Sequence, residues 1–154
     1  MEDLRFSVKG ESTSATQFIA STRQFDLLVD EPEGLGGTDE GANPVEFILA
    51  GFAGCINVIG HLVAKELGII IRKLNVEVTG ELNPERFFGS SFRERAGFKS
   101  IKLNLVPDTD ADLATLAIWL ERIEERCPVK DNLQNNTPVN IGLEKEFNVS
   151  KTKD

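Results

Sequence analysis

The sequence predicts an α+β fold organised as one domain, and three features predict it. The N-terminal thirty residues hold three short stretches in which apolar and polar side chains alternate, as half-buried strands require. The middle holds one long run of apolar and small residues, from Asn43 to about Leu67, with helix-start and helix-stop signals at its ends. Two more alternating stretches and a second helical stripe follow it.

Residues 3–9 alternate as a first strand, residues 10–14 read as a turn, and residues 16–22 and 24–29 read as two further strands of an antiparallel meander. From Asp30 to Ala42 the chain turns acidic and glycine-rich. Such glycines suit a phosphate cradle, but Asp39 and Glu40 would repel phosphate and no Lys-Ser/Thr follows, so the loop reads as a connector. The central helix then starts sharply: Asn43 is the N-cap, Pro44 suits the first helical position and Glu46 completes a capping box. Gly68 stands where the left-handed residue that ends a helix belongs.

Residues 69–82 carry Leu74, Val76 and Val78 in alternation and are expected as a strand. Residues 83–97 are irregular, with arginines and three phenylalanines. Residues 98–106 form the partner strand, with Pro107 and Asp108 expected to stop it. A second helix runs from about 110 or 111 to 126 on the stripe Leu113, Leu116, Leu120 and Ile123, and Cys127 falls on the same stripe four residues later. Pro128 ends it, residues 130–136 allow one more helical turn, and residues 138–149 contain a last strand. The domain is expected to span 1–149, with 150–154 a polar tail.

At 154 residues, 40% hydrophobic and 27% charged, the chain is long enough to bury a core without disulfides or metal. Its formal charge of −8 argues against nucleic acid or an anionic membrane as the main partner. The central stretch nears membrane-spanning length, but Glu46, Asn57, His61, Lys65 and Glu66 interrupt it, and it is expected as a core helix wrapped by protein. It is apolar on nearly every face, more than one chain of this size would cover, so a homodimer is expected. Residues 1–5 show neither a basic region nor an apolar one of a signal peptide, so the cytoplasm is the expected compartment. There, two cysteines serve as free thiols or as a redox pair.

Cys55, mid-helix, has Gly51, Phe52, Val58 and Ile59 as its same-face neighbours. Apolar surroundings alone raise a thiol pKa and make it inert, whereas a cation from another segment would make it a nucleophile. Cys127 lies on the apolar stripe of the second helix, which should pack on the first, so the two cysteines can meet. His61 lies about 240° round the helix from Cys55 and does not share its face. One histidine and two cysteines also leave a four-ligand zinc site short of material, so neither metal nor cofactor is expected. Glu46 is about 180° round from Cys55 and roughly 13–14 Å along the helix. A catalytic role for it needs contact through an arginine or across a subunit interface. Arg23, between two apolar strand stretches, needs a partner such as Glu46 and is the expected cation for Cys55, with Arg93, Arg95 and Arg126 as alternatives.

Two segments together resemble the OsmC/Ohr family of osmotically inducible and organic hydroperoxide resistance proteins. The first is Gly36-Gly37-Thr38-Asp39-Glu40-Gly41-Ala42-Asn43-Pro44-Val45-Glu46 with Leu49-Ala50-Gly51-Phe52-Ala53-Gly54-Cys55. The second is Glu125-Arg126-Cys127-Pro128-Val129, with Leu133 and Thr137-Pro138-Val139 downstream. The likeness runs from about residue 23 to 147 and is closer to the OsmC-like branch. It implies two central helices enclosed by antiparallel sheets in an intertwined dimer, and thiol-dependent reduction of hydroperoxides regenerated by a dithiol reductant. By the resemblance Cys55 is the peroxidatic cysteine, Cys127 the resolving one, and an arginine and a glutamate hold the thiolate. Glu46 stands one residue after Val45, the position of that glutamate in the hydroperoxide-resistance branch. Phe52, Phe87, Phe88 and Phe92 are candidates for an apolar approach favouring organic peroxides. The rival is a redox-inactive binding or structural module on the same fold; a thiol hydrolase lacks a base for Cys55.

Overall fold

A computed structural model of the chain describes residues 1–145. Strands β1 (Lys9–Ser12), β2 (Phe18–Thr22) and β3 (Phe25–Val29) form an antiparallel meander. Ser12 pairs with Phe18, and Thr22 pairs with Phe25. The first strand thus begins where the alternation over 3–9 ends. Residues 1–8 belong to no strand, and the stretch expected as a turn supplies most of β1. Alternation alone could not fix this register, because only pairing with β2 decides which residues join the ladder.

Helix α1 (Pro44–Leu67) has the bounds its caps dictate. The Asn43 side chain accepts from the Glu46 N–H at 2.9 Å, and the Glu46 carboxylate accepts from the Asn43 N–H at 2.8 Å. Gly68 closes the helix at φ 69°, a conformation costly for any residue with a Cβ. Strands β4 (Lys73–Glu81) and β5 (Ser100–Asp108) pair antiparallel from Lys73–Asp108 to Glu81–Ser100. Their half-buried residues, among them Leu74, Val78, Ile101, Leu103 and Leu105, face the helices. Pro107 does not stop β5 but pairs with Leu74; proline lacks only an N–H, which an edge strand can spare. Helix α2 (Leu113–Arg126) starts at Asp112, whose carboxylate accepts from the Thr115 N–H at 2.7 Å.

Pro128 opens a new helix instead of merely ending the old one. Helix α3 (Pro128–Gln134) takes Cys127 as its N-cap and Pro128 as its first residue, the position where a missing N–H costs nothing. The strand expected over 138–149 is absent among the described residues 138–145, and the rest of that range lies outside the described residues.

The core lies between α1, α2 and the inner face of β4–β5. Phe52, Ile56, Val63, Ala64, Trp119, Ile123 and Cys127 form its buried centre. The Trp119 indole N–H donates to the Gly60 carbonyl at 2.8 Å, locking α2 across α1 where a glycine leaves room. No residue of β1, β2 or β3 joins this core. Helix α1 is therefore not wrapped within one chain. It is long and apolar enough by length and composition to cross a membrane, and it buries one face while Ile48, Val58 and Leu62 stay exposed, Val58 by 64%.

Asp30 joins the meander to α1. Its side chain is fully buried, the only carboxylate so placed among the described residues. It accepts from the Thr38 hydroxyl at 2.6 Å and from the backbone N–H groups of Glu31 and Glu40 at 2.7 and 3.1 Å. Its own N–H donates to the Ala42 carbonyl, next to the cap of α1. The acidic loop is thus folded around one carboxylate, with Gly37 pressed so closely on the Glu31 carbonyl that no Cβ would fit.

Candidate active site

Both cysteines are free thiols, Cys55 half-buried on α1 and Cys127 buried at the α2–α3 junction. The Cys127 thiol donates to the Cys55 sulfur at 3.0 Å. Two placements produce this contact. Cys55 sits on the side of α1 that meets α2, between the buried residues Phe52 and Ile56. Cys127 ends the stripe begun by Trp119 and Ile123, and its sulfur accepts the Lys130 N–H at 3.4 Å as the cap of α3.

Burial pushes the Cys55 thiol up from its ordinary value, and the bond from Cys127 pushes the same way. The Val129 backbone N–H acts against both, since a donor favours the thiolate. Val129 and Lys130 were not among the residues singled out from the sequence. Their signal is Pro128 at the first position of a helix, which aims the following free N–H groups back toward Cys127.

The structure does not assemble the expected activating group within one chain. Arg23 is exposed on the two-residue turn between β2 and β3 at φ 52°, its guanidinium over the Phe25 ring at 5.0 Å. Among the described residues it makes no ion pair with Glu46, whose carboxylate serves the capping box. Arg126, the alternative beside Cys127, is engaged by Glu66 at 2.7 Å. Arg86 and Arg95 belong to the irregular 83–97 segment, where Arg86 lies over the Phe92 ring. His61 is exposed, with Nδ1 at 2.9 Å from the Asn57 carbonyl oxygen. Among the described residues no cluster of three or more histidine, cysteine and acidic side chains offers a metal site.

A groove of about 1000 Å³ lies beside the thiol pair, between β5 and the three helices. Phe52 and Ile56 line it from the Cys55 side, Ile123 and Lys130 from the Cys127 side. Of the phenylalanines expected at an apolar approach, Phe52 lines this groove, whereas Phe87, Phe88 and Phe92 stand exposed on the 83–97 segment outside it. Phe98 lines it instead.

A family model described as OsmC-like protein matches residues 37–142. Among solved structures, an OsmC-like protein from Mycoplasma pneumoniae superposes with a TM-score of 0.74 at 22% identity, over 86% of this chain and 89% of that one. An organic hydroperoxide resistance protein from Legionella pneumophila superposes with a TM-score of 0.63 at 18% identity, over 88% and 93% of the two chains. One from Elizabethkingia anophelis gives 0.63 at 21% identity over the same shares. No curated protein matches the sequence.

Proposed function

The chain belongs to the OsmC-like family, and on that premise we propose that it is a thiol-dependent peroxidase that reduces organic hydroperoxides with Cys55 and Cys127. The observation that carries this reading is the 3.0 Å approach of two free thiols in a buried setting. Similarity to proteins named organic hydroperoxide resistance proteins supports the substrate class.

The chemistry balances with these two groups and an external dithiol. The Cys55 thiolate attacks the terminal oxygen of the hydroperoxide, the O–O bond breaks, and the alcohol leaves with a proton. Cys55 is then a sulfenic acid. The Cys127 sulfur, already in contact, attacks it; an S–S bond forms and water leaves. A dithiol restores both thiols by exchange.

Activation is the step a single chain does not complete, because burial raises the Cys55 pKa and its donors are a backbone N–H and a thiol. We assign the missing cation to Arg23, held by Glu46, with the meander of a second copy as its carrier. The meander packs outside its own chain's core, and α1 keeps an exposed apolar face. Both features are those of a chain completed by a homodimer partner. The test is consumption of cumene hydroperoxide with dithiothreitol as reductant: turnover supports the reading, and none at any pH contradicts it. A redox-inactive module on the same fold is the second reading, favoured by the raised Cys55 pKa; it predicts that Cys55 resists peroxide even in the assembled protein.

A further inference from the structure

We propose that residues 138–145 form a third strand on the outer edge of β5 of the same chain, closing the groove beside the thiol pair. The β4–β5 sheet has only two strands among the described residues. The outer edge of β5 therefore presents N–H and C=O groups with no ladder partner, a liability that folded proteins cover. Beside this edge runs the groove, walled by Ile101, Leu103 and Leu105 on one side and Phe52, Ile56 and Ile123 on the other. An apolar slot along an open strand edge fits an extended segment that carries apolar side chains on alternate residues.

Residues 138–145 are such a segment. Val139, Ile141 and Leu143 alternate with Asn140, Gly142 and Glu144, the period of a strand with one buried face. Yet those three apolar side chains are 79%, 94% and 96% exposed. Eight residues of strand span about 26 Å, a match for the nine residues of β5.

The point of departure selects the same chain over a second copy. Leu133 and Gln134, the last residues of α3, line the groove themselves. Thr137 donates to Asn132 at 2.7 Å, holding the connector against α3. Residues 135–137 can extend about 10 Å, so the segment begins at the groove's mouth. Tethering there gives it an effective concentration a free copy does not reach. Once docked, it covers the side chains flanking both cysteines and keeps water from the apolar side of the dithiol.

The test is amide hydrogen exchange on the full-length protein, with the β5 amides that face away from β4 as the readout. In the wild type these amides are expected to be protected. Ile141→Glu should raise their exchange about tenfold or more, since a buried isoleucine is worth 1.5–3 kcal/mol. Asn140→Glu, on the opposite face, should leave them unchanged. Fast exchange in the wild type, or an inert Ile141→Glu, overturns the proposal. A nitroxide at Gly142→Cys, in a Cys55→Ser/Cys127→Ser chain, separates the two sources of the strand. Broadening of β5 is expected only when label and isotope share one chain; broadening between differently labelled chains overturns the same-chain assignment. None of these readouts involves peroxide, so the result is independent of the proposed activity.

Discussion

The Cys127 sulfur lies 3.0 Å from the Cys55 sulfur although 72 residues separate them. The contact is made by two helices whose crossing is fixed elsewhere, by the Trp119–Gly60 hydrogen bond and the buried Ile123. The thiol pair is therefore held by the core and not by a local turn, so its reactivity depends on how that core is completed.

The two cysteines should divide the chemistry. Cys55→Ser should abolish peroxide consumption. Cys127→Ser should leave one rapid oxidation that stops at a sulfenic acid, trapped by dimedone and visible by mass spectrometry. Normal turnover by both variants would refute the two-cysteine scheme.

The pH dependence of alkylation tests the activating cation. Burial and Cys127 raise the Cys55 pKa within one chain, whereas a guanidinium beside it favours the thiolate and lowers it. In the assembled protein the Cys55 midpoint should fall below the free-cysteine value of about 8.5, and Arg23→Met should move it upward. Arg126→Met should leave it in place, because that side chain is engaged with Glu66. A wild-type midpoint above that of free cysteine favours the redox-inactive module.

Much of this arrangement could be read from the sequence, for local reasons. The Asn43, Pro44, Glu46 and Gly68 signals fix the bounds of α1 because caps act over one turn. The stripe ending at Cys127 points that thiol at α1 because helical periodicity is also local. Asp30 was not legible: in an acidic loop, one buried carboxylate looks like its solvated neighbours. The separation of Arg23 from Glu46 was equally hidden, since it depends on where the meander packs and not on any stretch of chain.

Acid should weaken the loop that Asp30 organises. Its hydrogen bond from the Thr38 hydroxyl, helped by backbone donors, holds the carboxylate well below the usual range against the opposing effect of burial. A depressed folded-state pKa adds stability above the unfolded value of about 3.9, and that stability is lost as pH falls toward the folded one. The melting temperature should therefore drop below about pH 4. Asp30→Asn should lower it by several degrees at pH 7 and flatten the acid dependence.

Core packing should respond at Ile123, fully buried between α1 and β5. Ile123→Ala should cost about 2–5 kcal/mol in denaturant unfolding, and should slow disulfide formation by loosening the Cys127 end of α2.

Light scattering tests the homodimer assignment. A mass of twice 17.0 kDa is expected at micromolar concentration, with Val58→Glu, on the exposed face of α1, shifting the protein toward monomer. A monomer at every concentration would remove the source proposed for Arg23.

The most direct measurement of the central claim is a thiol count joined to peptide mapping after one equivalent of cumene hydroperoxide. The account predicts that both thiols disappear together and that a Cys55–Cys127 disulfide peptide appears, reversed by dithiothreitol. Two thiols still titratable after exposure, or Cys55 oxidised to sulfinic acid beside an untouched Cys127, would contradict it.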